Sequence, residues 1–151
     1  RPETHQDRGP FMKSAIALCT ALVVAGLVFA LWPASDQGAQ ARTEGAPLAE
    51  VSLPEALSQN AEIGQRAYEA NCAACHGVNA AGQRGVAPPL VHKLYESGHH
   101  GDESFQRAAA MGVQAHHWPF GDMPPVQGIT RADVTFIIAY IRELQRANGI
   151  N

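Results

Sequence analysis

The five residues Cys72-Ala73-Ala74-Cys75-His76 constrain this chain more than any other stretch. They hold two of its three cysteines, spaced C-x-x-C, with a histidine directly after the second. Three chemistries use such a pair. A thioredoxin-like thiol pair follows a strand and opens a helix within a βαβ pattern. Here a helical segment precedes the pair and a Gly-rich loop follows. A structural zinc site takes four Cys or His ligands in paired clusters, yet the second cysteine pair is missing and no H-x₃₋₅-H spacing replaces it. The third chemistry is attachment of a c-type haem, whose signature is C-x-x-C-H, and it accounts for the whole segment.

That spacing has a physical logic. On a helical turn, residues three and four apart leave one face, so Cys72, Cys75 and His76 project together. Two thiols then reach the vinyl carbons at a haem edge while the imidazole reaches the iron. Both thiols are consumed. Haem attachment of this kind takes place after export, and the start of the chain agrees with that.

Residues 15–32, AIALCTALVVAGLVFALW, carry no charge and follow Lys13. We read Met12 as the natural start and residues 1–11 as upstream or vector-derived sequence. Residues 12–32 then have the pattern of an export signal or of a membrane anchor, since 18 apolar residues approach the roughly 20 that span a bilayer. An A-x-A site at 39–41 lies nine residues past Trp32, with Asp36 between, which favours an uncleaved anchor over a cleaved signal. Either way the folded part is expected outside the cytoplasm, in the bacterial periplasm, tethered to the inner membrane or soluble there after cleavage. Cys19 lies inside the apolar run, and Leu18 stands where a lipoprotein site needs a small residue, so Cys19 is read as filler. Residues 33–57, rich in Ala, Pro, Gly, Ser and Glu, read as a flexible linker. The folded domain is expected over 58–151.

Within that domain the pattern is helical. Residues 58–77 place Ala61, Gly64, Ala67, Tyr68 and Ala70 on one face, with Ser58 or Asn60 as cap. Gly64 inside a helix costs about 1 kcal/mol against Ala, which asks for a close neighbour. Residues 130–149 form the clearest helix. Thr130 and Asp133 resemble a capping box, Val134, Ile137, Ile138, Ile141 and Leu144 make one apolar stripe, and Gly149 stops it. Arg142 and Arg146 suit the negative end of its dipole. A short helix spans 102–112 and a further turn is expected near Tyr95. The stretches 82–90 and 116–128 are loops broken by Gly and Pro, and no strand pattern stands out. The expected fold is all-α, with long ordered loops that need something to pack against. Three short helices bury too little alone, and a haem supplies the missing core. The net charge of −3 argues against nucleic acid as a partner, since a phosphate backbone wants a basic face. The acidic side chains Glu62, Glu69, Glu96, Asp102, Glu103 and Asp122 form no block.

Residues 58–147 resemble the class I c-type cytochromes. The resemblance rests on Gly64 and Tyr68, on Cys72 to His76, on Ala87-Pro88-Pro89-Leu90, on Gly121-Asp122-Met123-Pro124-Pro125 and on Tyr140. It implies the class I cytochrome c fold, a small helical domain wrapped around one covalent haem c. The first helix would cross the last, with Gly64 against the Ile138–Tyr140 region. It further implies thioethers at Cys72 and Cys75, His76 as proximal iron ligand and Met123 as distal ligand. The Pro88 carbonyl would orient His76, with Pro89 as the alternative, and Leu90 would pack on the haem.

The second axial ligand sets the function. Met123 lies in a loop stiffened by Pro119, Pro124 and Pro125. Met111 ends the short helix and reads as a core residue. His92, His99, His100, His116 and His117 offer a bis-His alternative, and Met123 packing on the porphyrin without ligation is another. Trp118, Tyr95 and Arg84 are candidates for a haem propionate, with core packing for the first two and a solvated position for Arg84 as the plainer readings. With His/Met ligation the iron has no room for substrate, so the expected function is one-electron transfer between redox protein partners rather than enzyme catalysis. Two rivals remain: a haem-based sensor or peroxidase-like protein with an open sixth position, and a copper-handling haem protein using the histidine pairs at 99–100 and 116–117.

Overall fold

The computed structural model describes residues 45–151. The expectations for 1–11 and 12–32, and the first part of the linker, lie outside the described residues. Among the described residues no helix is long and apolar enough to cross a membrane.

The described chain is helical: α1 Gln59–Asn71, α2 Ala73–His76, α3 Asp102–Met111 and α4 Arg131–Ala147, with single 3-10 turns at Val78–Ala80 and Lys93–Tyr95. Among the described residues β structure is limited to two isolated bridges, Gln83 with Ala87 and Val113 with Met123. Ser58 caps α1, its hydroxyl accepting the Ala61 amide at 3.3 Å. At α4 both halves of the capping box are present, with Thr130 N–H donating to Asp133 Oδ2 at 3.0 Å and Asp133 N–H to Thr130 Oγ1 at 3.2 Å. The hydrogen bonds that the Asp133 carboxylate accepts from the Thr130 hydroxyl and then from its amide lower the Asp133 pKa.

α1 packs along α4, and α3 makes a smaller contact with the same helix. The α4 stripe divides accordingly. Ile137, Ile141 and Leu144 join Ala61, Tyr68, Leu90 and Tyr140, while Val134 and Ile138 pack on Ala109. Gly64 is the point of closest approach. A Cβ there would lie 1.8 Å from the Phe136 carbonyl oxygen and 3.1 Å from Ile137 N. The crossing therefore falls at Phe136–Ile137, slightly earlier than the expected Ile138–Tyr140. Tyr68 and Tyr140 meet just beyond it, ring centroids 5.6 Å apart.

Three expectations are corrected. The linker reading fails over 45–57: this stretch has no helix, but the Leu48 and Ala49 amides donate to Ala81 O, and Ser52 exchanges two 2.9 Å hydrogen bonds with the Asn148 side chain. Val51 and Leu57 pack on the core. Met111 is 75 % exposed, because the apolar face of α3 turns the other way, toward α4. Arg142 is buried. Instead of lying along the helix end, its guanidinium donates to Asp102 Oδ1 at 2.9 Å, Tyr95 O at 2.6 Å, Gln145 Oε1 at 2.7 Å and His100 O at 2.7 Å.

Candidate functional site

Cys72 breaks the helix between α1 and α2, with φ −121°. Its carbonyl then restarts it, accepting the His76 amide at 2.9 Å. Gly77 ends α2, and its carbonyl accepts the buried Tyr68 hydroxyl at 2.7 Å. Burial, then the Cys72 thiol and Tyr140, holds the Tyr68 pKa far above its usual value. Gln83 Nε2 donates to Ala73 O at 3.2 Å and Ala74 O at 2.9 Å, so two carbonyls of α2 are held by the loop that follows it.

The His76 ring is fixed from the far side. Its Nδ1–H donates to Pro88 O at 2.9 Å, which leaves Nε2 as a lone-pair donor, the arrangement of metal-binding histidines. Burial lowers the His76 pKa, and the Pro88 carbonyl works against it, so the ring is neutral in neutral solution. Pro88 reaches it because Gly82 yields space. Gly82 has φ +73°, and a Cβ on it would lie 2.4 Å from Pro89 N. Pro89 makes no such bond to His76, so of the two prolines only Pro88 serves the ring.

Met123 arrives from the other end of the chain. It pairs with Val113, each amide donating to the other's carbonyl at 2.9 Å. Gly112, with φ +76°, lies under it, and a Cβ there would meet Met123 O at 2.4 Å. Val126 N–H donates to Ala109 O at 2.9 Å, so the Met123 loop is fastened to the end of α3 on both sides.

Cys72, Cys75, His76, Pro88, Leu90 and Met123 all line one cleft of about 790 Å³, whose other walls include Tyr95, Phe105, Trp118, Val134, Ile137 and Ile141. Met111 and Arg84 are not among its lining. Both thiols are free. Burial, then Cys75, pushes the Cys72 thiol up to about 11, so before it is modified it stays protonated in neutral solution. Trp118 Nε1 is buried without a hydrogen-bond partner. The Tyr95 hydroxyl lies nearby but out of hydrogen-bonding geometry with the indole N–H, and burial raises the Tyr95 pKa. An orphaned donor in an apolar cleft asks for an acceptor from outside the protein. Two thiols, a neutral imidazole with one free nitrogen, a thioether and an unpaired indole N–H fit a haem with its carboxylates.

Of the histidines, His100, His116 and His117 reach the rim of the cleft. Partial desolvation, then the neighbouring His116, His100 and His99, lowers the His117 pKa. Gly82, Gly112, Gln83 and the buried side of Arg142 escaped sequence reasoning as site-building residues. A glycine flanking each functional loop was the available signal, and it did not distinguish a close approach from an ordinary turn.

Fold and cleft together define a small all-α domain built to hold a c-type haem. Residues 61–145 match the family model described as Cytochrome c, and the chain belongs to that family, which implies haem c. Over 52 residues it is 47% identical to cytochrome c550 of Pseudomonas aeruginosa, a stretch that is 34% of this chain and 34% of that protein. The match thus spans about a third of the curated relative's length.

Proposed function

We propose that this protein is a one-electron carrier with a single haem c and His/Met axial ligation. Cys72 and Cys75 would hold the haem through thioether bonds from their Sγ atoms, and His76 Nε2 and Met123 Sδ would be the proximal and distal ligands of its iron. Bound there, the haem supplies a reversible ferric–ferrous couple. The observation that carries this reading is that one cleft is lined both by the Cys72–Cys75–His76 face, with His76 already oriented by Pro88 O at 2.9 Å, and by Met123 on its fastened loop.

The protein's own contribution is rigidity. Pro88 O holds the His76 ring, the Val113–Met123 pair holds the thioether, and the apolar walls exclude water, so little moves when charge changes. A thioether ligand raises the potential. With both axial positions filled, no coordination site is left for substrate, and the partners are redox proteins that donate and accept electrons. Residues 12–32 support export to the bacterial periplasm and tethering to the inner membrane. A tether raises the effective concentration of the haem near membrane complexes.

The test is the absorption spectrum of the matured, reduced protein with and without carbon monoxide. The expected result is no change in the wild type and a clear shift in Met123→Ala. A shift in the wild type would favour a ligand-binding haem protein with an open or displaceable sixth position. Fractionation of cells expressing the full chain tests the tether, with the haem-staining band expected in carbonate-washed membranes.

A further inference from the structure

Four histidines outside the proposed iron ligands stand together, three of them at the rim of the cleft. His99 and His100 lie in the turn that leads into α3, and His116 and His117 lie in the loop that leads to Met123. One ligand nitrogen from each of His99, His100 and His117 lies within 4.8 Å of the others. Three nitrogens bound to one ion at about 2.1 Å stand at most about 4 Å apart. His99 and His117 are exposed, so a small rotation of two solvent-facing rings closes the set.

His100 is the fixed member. Its Nδ1–H donates to Leu94 O, which leaves Nε2 as the ligand nitrogen. Its own carbonyl accepts Arg142 Nη2 at 2.7 Å and its amide donates to Glu96 O at 2.8 Å. A buried guanidinium therefore holds the backbone of a histidine whose side chain is oriented by a second carbonyl. Solvated loop histidines have no need of either restraint.

The donor set decides the ion. Calcium and magnesium require oxygen ligands, and imidazoles suit borderline ions such as zinc and copper. Three protein nitrogens leave a fourth position to water. We propose that His99, His100 and His117 bind one divalent ion of the zinc–copper class at the rim of the haem cleft, joining the turn before α3 to the loop that carries Met123. This site rests on Met123, and none of these three histidines, being the distal ligand of the haem iron.

Isothermal titration of the tag-free, haem-loaded full chain tests it, first with zinc chloride and separately with copper(II) chloride. One equivalent of at least one ion is expected to bind saturably. The doubly substituted protein, His99→Ala with His117→Ala, is expected to bind at least about tenfold more weakly, a loss that an outer-shell partner alone can cause. Copper(II) in the wild type is expected to show nitrogen hyperfine splitting that diminishes in the variant. Absence of saturable binding of either ion overturns the proposal, and so does equal binding by the variant, which would place the ion elsewhere in the chain. Should the double variant fail to load haem, His117→Gln alone, at an exposed position, decides by the same two outcomes.

Discussion

Gly82 lies against Pro89 so closely that a Cβ on Gly82 would stand 2.4 Å from the Pro89 nitrogen. Its amide donates to His76 O at 2.7 Å, while the neighbouring Pro88 carbonyl receives His76 Nδ1–H at 2.9 Å. Gly82 thus sets the distance between the histidine and the carbonyl that orients it. Gly82→Ala strains a backbone at φ +73° and drives Pro88 away from the ring. The strain and the overpacking together are expected to cost about 3 kcal/mol. Denaturant unfolding of the haem-loaded protein measures this, and the reduced spectrum should change with it. Wild-type stability and an unchanged spectrum would remove Gly82 from the site.

Gly112 has the same relation to the other proposed ligand. A Cβ on it would lie 2.4 Å from Met123 O, and its φ is +76°. Gly112→Ala should break the Val113–Met123 pair while leaving the thioether in the sequence. The expected outcome is a reduced protein that binds carbon monoxide partly, between the wild type and Met123→Ala. Wild-type resistance to carbon monoxide would show that the loop holds Met123 without this contact.

Much of this was legible beforehand, for physical reasons. The α4 stripe and its Thr130–Asp133 cap are local, and local periodicity is written in adjacent residues. Cys72, Cys75 and His76 share one turn, so their convergence follows from helix geometry. Met123 stood out as one candidate on its proline-stiffened loop, and only the resemblance ranked it first, because no periodicity relates it to His76. Arg142 and Gln145 were misplaced or missed because their partners, Tyr95 O, His100 O and Leu90 O, are backbone groups 42 to 55 residues away. Nothing in the spacing of a helix announces a carbonyl on a distant loop. The bound stretch 45–57 was read as tether for the same reason, since its hydrogen bonds go to Ala81, Arg84 and Asn148.

Arg142 closes the gap between α4, α3 and the Lys93–Tyr95 turn. Truncation in Arg142→Met leaves His100 O and the buried Gln145 Oε1 without their donor, and each such group costs about 1–3 kcal/mol. Tyr95 O keeps Gln145 Nε2 at 3.0 Å, and Asp102 is largely exposed, so neither adds much. A loss of about 3 kcal/mol is expected in urea unfolding. Arg142→Lys should recover less than half, since one ammonium cannot reproduce a planar fork with several fixed donors. A lysine variant as stable as the wild type would mean that charge, rather than the fork, is what the position requires.

The Asp133 cap gives α4 a pH dependence with a definite sign. Its carboxylate accepts the Thr130 amide at 3.0 Å and the Thr130 hydroxyl at 2.6 Å, and these bonds hold its pKa below the usual carboxylate range. A group with a depressed folded pKa stabilises the fold above its unfolded value, about 3.9 for Asp. That contribution is lost as pH falls through the lower folded value. Asp133→Ala should therefore melt below the wild type by a constant margin between about pH 5 and 7, and the margin should close below about pH 4. Glu103, whose pKa the Arg131 side chain lowers by hydrogen bonding, titrates alike in both proteins and cancels from the difference. Thermal unfolding of the two haem-loaded proteins across this range reads the margin directly. A margin that stays constant into strong acid would mean that the loss comes from the side chain's bulk, with no part played by its charge.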